Sequence, residues 1–240
     1  MSNPTAALLI IGDEILSGRT KDKNIGYLAE RLNDCGIDLK EVRVVADETA
    51  DIAEAARALS ARFDSVFTSG GIGPTHDDIT ADSVAAAFDV GIDVRQDAKD
   101  ILTAYYEKIG IELNAARLRM TRIPDTAELI DNPVSAAPGF RIKNVYVCAG
   151  VPKIFQAMVE NILPTLAKGQ PICSVSIRVE RPEGEIATVL GAIAGQNTEV
   201  SIGSYPFSED GILGSNVVVR GNDDAMVDDI AKAIRQELGL

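Results

Sequence analysis

Residues 6 to 14 read Ala6-Ala7-Leu8-Leu9-Ile10-Ile11-Gly12-Asp13-Glu14, six apolar residues in a row followed by a glycine and two acids. A strand with one face in water alternates apolar and polar residues. An unbroken apolar run of this length marks a strand buried on both faces, the signature of a parallel sheet. Asp13 and Glu14 then fall just past the carboxyl end of that strand, where open α/β sheets place their ligands.

The flanking segments extend this pattern. From Asp22 to Gly36 the residues Ile25, Leu28, Ala29, Leu32 and Cys35 recur at helical spacing, with Asp22 suited to cap the start and Gly36 to take a left-handed closing position. Val42, Val44 and Val45 mark the next strand, Thr49 to Arg62 an Ala-rich helix, and Ser65 to Thr68 a short strand leading into Ser69-Gly70-Gly71. Helices are expected over Thr80–Phe88 and Gln96–Ile109, and an inserted antiparallel hairpin over Glu128–Ile130 and Phe140–Ile142. A further buried strand follows at Asn144–Cys148, then a helix opened by Pro152 and running to about Ala167. Strand and helix alternate, so the expected class is α/β, a three-layer, mostly parallel, Rossmann-like sheet with a hairpin insertion.

Lys168-Gly169-Gln170-Pro171 reads as a linker between a first domain over 1–169 and a second over 172–240. The second shows strand, helix, strand, strand, helix, a small α+β unit.

Composition excludes several function classes. Across 240 residues, 36 acidic against 23 basic side chains give a net charge of −13, which repels a phosphate backbone, so nucleic acid is not an expected partner. No apolar run approaches the roughly 18 to 20 residues of a membrane span, and the leading MSNPTAALLIIGDE lacks the basic start of a signal peptide. The expected location is the cytoplasm. Cys35, Cys148 and Cys173 are odd in number and far apart, which suits neither disulfides nor zinc, and the single His76 cannot build a metal cluster. Any chemistry must then rest on carboxylates, backbone amides and an added metal.

The segment carrying such chemistry is Ser69-Gly70-Gly71-Ile72-Gly73-Pro74-Thr75-His76-Asp77-Asp78-Ile79-Thr80, between a strand and a helix. Three glycines let backbone N–H groups approach an anion. Thr80 as N-cap would aim the helix's positive end at the loop, a contact worth roughly 0.3 to 1 kcal/mol. Asp77 and Asp78 would repel a phosphate unless a cation lies between them, and hydrated Mg²⁺ or another divalent ion is the usual bridge. The spacing is neither a dinucleotide fingerprint nor a Walker loop, because no Lys-Ser or Lys-Thr follows. His76 could donate to a phosphate but receives no catalytic role. The alternative reading of the segment is a tight turn with helix-capping aspartates.

GGIGPTHDDIT resembles the MoaB/Mog family of molybdopterin-binding domains, and more closely the amino-terminal domains of competence/damage-inducible protein A and of eukaryotic FAD synthase. Gly12-Asp13-Glu14-Ile15-Leu16-Ser17-Gly18, Asp22 with Asn24, Asn132-Pro133, Ala137-Pro138-Gly139-Phe140 and Gly150-Val151-Pro152 extend the resemblance over about residues 6 to 167. Where competence proteins show Pro before Gly-Val-Pro and Glu two residues after it, this chain has Ala149 and Ile154. The resemblance implies roles for Asp78 and Asp47 with the metal and the ligand phosphate, with Asp77 beside them. It also implies ligand contacts from Ser69, Gly70, Gly71, Gly73, Thr75, Asp13, Glu14, Asn24, Gly139, Gly150 and Pro152. The second domain is similar to the KH-like or ferredoxin-like unit of competence proteins but lacks a basic GxxG loop, so a packing or dimerisation role is expected.

The activity so implied is metal-dependent cleavage of an ADP-ribose-like or FAD-like diphosphate. Molybdopterin binding or adenylyl transfer in molybdenum cofactor synthesis is the alternative, and a non-catalytic binding or assembly module is a third. A nucleotide or pterin phosphate is the expected small-molecule partner. A homo-oligomer is also expected, the apolar helix Ile154–Leu166 offering surface for a two-fold contact.

Overall fold

The computed structural model describes residues 3–209 and 211–240. Met1 and Ser2, the start of the leading stretch read above for a signal peptide, lie outside the described residues. The chain forms two compact units, 1–169 and 170–240, dividing inside the expected linker.

The first unit opens with β1 (Thr5–Ile11), α1 (Asp13–Leu16), α2 (Asn24–Asp34), β2 (Asp38–Val45), α3 (Thr49–Ser60), β3 (Ser65–Ser69) and α4 (Thr80–Ala87). There follow β4 (Ile92–Val94), α5 (Gln96–Lys108), α6 (Ala115–Leu118), β5 (Arg122–Pro124), β6 (Glu128–Ile130), β7 (Gly139–Ile142), β8 (Val145–Cys148) and α7 (Pro152–Ile162). Six strands make one sheet in the order β2-β1-β3-β8-β7-β6. The first four are parallel, and β7 and β6 add antiparallel.

β1 shows why the apolar run was needed. Ala7, Leu9 and Ile11 enter a core shared with α3 and α4, while Ala6, Leu8 and Ile10 enter a second core shared with α2 and α7. All six are at most 2% exposed, so a polar residue at any of them would enter an apolar layer. Helices on both faces of the sheet make the three layers. The chain leaves β1 to one side for β2 and returns to its other side for β3, so the strand order reverses between β1 and β3. That switch point leaves a crevice beyond the carboxyl ends of the strands.

Several expectations need correction. The hairpin pairs as expected, Leu129 with Phe140, and β7 joins it to the main sheet through β8. Residues 92–94 pair antiparallel with 122–124 in a two-stranded ribbon that sequence reading did not find. The apolar face of α7 (Phe155, Met158, Val159, Ile162) lies inside the second core, so the surface proposed for a two-fold contact is already used.

The second unit comprises β9 (Cys173–Val179), α8 (Glu183–Gln196), β10 (Ser201–Glu209), β11 (Ile212–Gly221) and α9 (Asp224–Leu238). Its sheet is antiparallel in the order β10-β11-β9, and Val217, Val219, Ile186 and Ile234 are in its core. Asp223 caps α9 by accepting from the Met226 amide. A ferredoxin-like sheet has four strands. Among the described residues this one has three.

Cys35, Cys148 and Cys173 are free thiols, and complete burial pushes the Cys148 thiol pKa far up. Among the described residues no helix is long and apolar enough to cross a membrane.

Candidate functional site

The carboxyl ends of β1, β2, β3 and β8 open into a cavity of about 550 Å³, within the rough 300–1,000 Å³ range of small-molecule sites. Its wall includes Glu14 after β1, Asp47 after β2, the segment Gly70–Pro74 with Asp77 and Asp78 after β3, and Gly150, Val151 and Pro152 after β8. Four of the lining side chains are carboxylates, and none is Lys, Arg or His.

The glycine loop is held by its own residues. Gly70 and Gly71 have φ of 113° and 69°, and a Cβ on Gly71 would stand 2.1 Å from the Thr80 hydroxyl oxygen. That contact corrects the expected N-cap. Thr80 is the first residue of α4, its Oγ1 donates to the Gly70 carbonyl at 3.0 Å and its amide to the Gly71 carbonyl at 3.0 Å. Thr80 therefore ties the loop to the helix, and its own amide is taken by the Gly71 carbonyl.

Asp78 accepts from the Thr75 amide at 2.8 Å and from the Thr75 hydroxyl at 2.6 Å. His76 projects into solvent with its side chain 99% exposed.

Burial raises the pKa of Asp47, and the negative charges of Asp13, Glu14 and Asp77 raise it further against the lowering effect of the Asp13 amide, which donates to Oδ2 at 3.0 Å. A carboxyl whose folded pKa exceeds its unfolded one favours folding at low pH, and that contribution is lost as pH rises through the folded pKa. Asp47→Asn keeps an acceptor for the Asp13 amide and removes the penalty, so the thermal midpoint at neutral pH is expected to rise by about 1–2 °C. Calorimetry at pH 7 and again at pH 4 checks this, and the gain should shrink at the lower pH.

The structure brings Glu14, Asp47, Gly70, Gly71, Gly73, Asp77, Asp78, Gly150 and Pro152 around one cavity. The other expected residues serve differently. Asn24 and Ser69 line an adjoining cleft of about 70 Å³. There Asn24, 3% exposed, donates to Ser69 Oγ at 2.8 Å and to the Gly150 carbonyl at 2.9 Å. Asp13 positions Asp47, and Thr75 positions Asp78. Gly139 does not line the cavity or the adjoining cleft, and a Cβ there would meet the Val147 carbonyl and Met158 at 2.2 Å each inside the sheet. Sequence reading missed Thr20, Met120 and Ser135, all in the wall, and none carries a local signal. Ala149 and Ile154, where the chain departs from competence proteins, also line the cavity.

Residues 7–168 match the family model described as probable molybdopterin binding domain, and residues 171–239 match the model described as FAD synthase, middle domain. A protein from Archaeoglobus fulgidus is 34% identical, with 83% of this chain and 84% of that protein covered. A probable FAD synthase from Caenorhabditis elegans is 30% identical over 98% of this chain, which spans 50% of that protein. Among solved structures, the protein CinA of Thermoplasma acidophilum superposes with a TM-score of 0.62 at 31% identity, covering 69% of this chain and 99% of that one. The chain therefore belongs to the family of the probable molybdopterin binding domain, followed here by a domain matching the middle domain of FAD synthase.

Proposed function

We propose that the chain is a metal-dependent pyrophosphatase acting on a nucleotide diphosphate of ADP-ribose-like or FAD-like form. One observation carries the reading: a nucleotide-sized cavity joins a glycine loop to four carboxylates, Glu14, Asp47, Asp77 and Asp78, with no basic side chain in its wall. Such a wall repels a diphosphate unless a cation accompanies it. The match to the FAD synthase middle domain and the likeness to a probable FAD synthase support a flavin- or adenine-bearing ligand.

The donor set fits a hydrated Mg²⁺-like ion. All candidate ligands are oxygens, and among the described residues no three His, Cys, Asp or Glu side chains converge into a cage. That suits an ion held by one or two carboxylates, water and the ligand's own phosphate. Asp78 and Asp47 are the residues assigned to it, with Asp77 beside them. When bound, the ion would neutralise phosphate charge and lower the pKa of an attacking water. Within the chain, the amides of the Gly71–Gly73 turn orient the phosphates, Thr75 fixes Asp78, and the Asp13 amide fixes Asp47.

Purified protein should release AMP from ADP-ribose or FAD with Mg²⁺, Mn²⁺ or Co²⁺ and fall silent with a chelator. Silence with every metal while ligand still binds would instead favour the second reading, a molybdopterin-binding protein or pterin adenylyltransferase, which the family match supports, or a non-catalytic module.

A further inference from the structure

Among the described residues no cationic side chain lines the cavity, yet two guanidinium groups line a recess that shares the glycine loop with it. A recess of about 20 Å³ lies there, room for one water or one phosphate oxygen by the rough 10–15 Å³ requirement. It shares Gly71, Gly73 and Asp78 with the cavity, and both Arg119 and Arg122 line it. Arg122 is fully engaged, its two terminal nitrogens donating to the two oxygens of Asp82 at 2.7 Å each. Asp78 is engaged by Thr75.

Arg119 differs from both. Its Nε is buried and has no hydrogen-bond partner, a state that native side chains rarely keep without a reason. Among the described residues no carboxylate pairs with it. The turn that carries it is well anchored: Thr121 is fully buried and its Oγ1 donates to the Leu118 carbonyl at 2.7 Å. The neighbouring Met120 lines both the recess and the cavity. Consecutive residues of one fixed turn thus frame the glycine loop, leaving one uncompensated cation beside an oxygen-sized space.

We propose that Arg119 is a phosphate-binding residue whose guanidinium donates, from the recess, to an oxygen of the ligand's diphosphate at the Gly71–Gly73 turn. A planar guanidinium can offer a phosphate edge two parallel N–H donors, which a lysine cannot reproduce. The inference rests on the phosphate reading of the cavity given above, and it names the side chain that offsets the acidic wall.

The test is titration of the full chain with ADP and with inorganic pyrophosphate, both with Mg²⁺, for the unaltered protein, Arg119→Met and Arg119→Lys. Arg119→Met is expected to weaken both ligands by about 10- to 100-fold, with Arg119→Lys recovering part of the loss and the ligand-free thermal midpoint unchanged within about 2 °C. Equal affinities in Arg119→Met and the unaltered protein would overturn the role of Arg119 and leave the cavity reading standing. Failure of the unaltered protein to bind either ligand would overturn both. A loss shared equally by Arg119→Lys and accompanied by a lowered midpoint would mark a packing role and overturn the inference alone.

Discussion

Asp78→Asn is expected to lower metal-dependent AMP release by about 100-fold or more while leaving the first unit folded. The two roles of this side chain separate cleanly in that variant. Its structural role is to accept from the Thr75 amide and hydroxyl at 2.8 and 2.6 Å, and an asparagine carbonyl oxygen accepts as well. Its assigned chemical role needs the charge. Altering an outer-shell partner of a metal typically costs about 10–100-fold, so neutralising a direct ligand should reach at least the upper end. The comparison is steady-state AMP release beside a thermal scan of each protein. Full activity with an unchanged midpoint would reduce Asp78 to a loop clamp. Lost activity with a collapsed midpoint would show that asparagine does not replace it structurally, and the charge would then need testing at Asp47.

The largest effect on stability is expected at Gly70. A Cβ there would stand 2.2 Å from the Ile11 carbonyl oxygen, at a φ of +113° that side-chain-bearing residues rarely adopt. The obstacle is backbone at the end of a central strand, so it cannot swing aside. Backbone strain of about 1–3 kcal/mol and overpacking of about 1–3 kcal/mol together claim a large share of the roughly 5–15 kcal/mol that holds a domain folded. Gly70→Ala should therefore lower the urea midpoint of the first unit severely. Gly26→Ala, inside α2 with no neighbouring atom within 4 Å, should raise the unfolding free energy by about 0.5–1 kcal/mol and the midpoint with it. A Gly70→Ala protein as stable as the parent would mean that β1 and the loop can move apart.

How much of this was readable in advance depends on how local each signal is. The apolar run of β1 had to be buried on both faces, and Pro152 had to open its helix, because composition and φ act within a few residues. The glycine loop was legible for the same reason. The ribbon of 92–94 with 122–124 was not, since each strand is three residues long and its partner is distant in sequence. Gly139 misled in an instructive way. It entered as a ligand contact through the family resemblance, whereas the body that approaches it is the Val147 carbonyl of the neighbouring strand. Thr80 likewise has the right chemistry for a cap but spends its hydroxyl on Gly70. Arg119 gave no signal because its significance lies in what its neighbours leave unpaired.

The Asn24 side chain carries a consequence for how the protein is made. It joins Ser69, 45 positions along the chain, to the Gly150 carbonyl, 126 positions along, so it cannot close until β8 has been synthesised and laid beside β3. Contacts this distant are entropically late, because the intervening chain must first be ordered. On the ribosome, β1, β2 and β3 can pair while the floor of the cavity is still open, and the site comes into being only as the last strand of the parallel set arrives. A nascent chain halted before Gly150 can hold a partial sheet, yet it has nothing with which to grip a ligand across β3 and β8. Ligand binding is in that sense a signal that the domain has been completed.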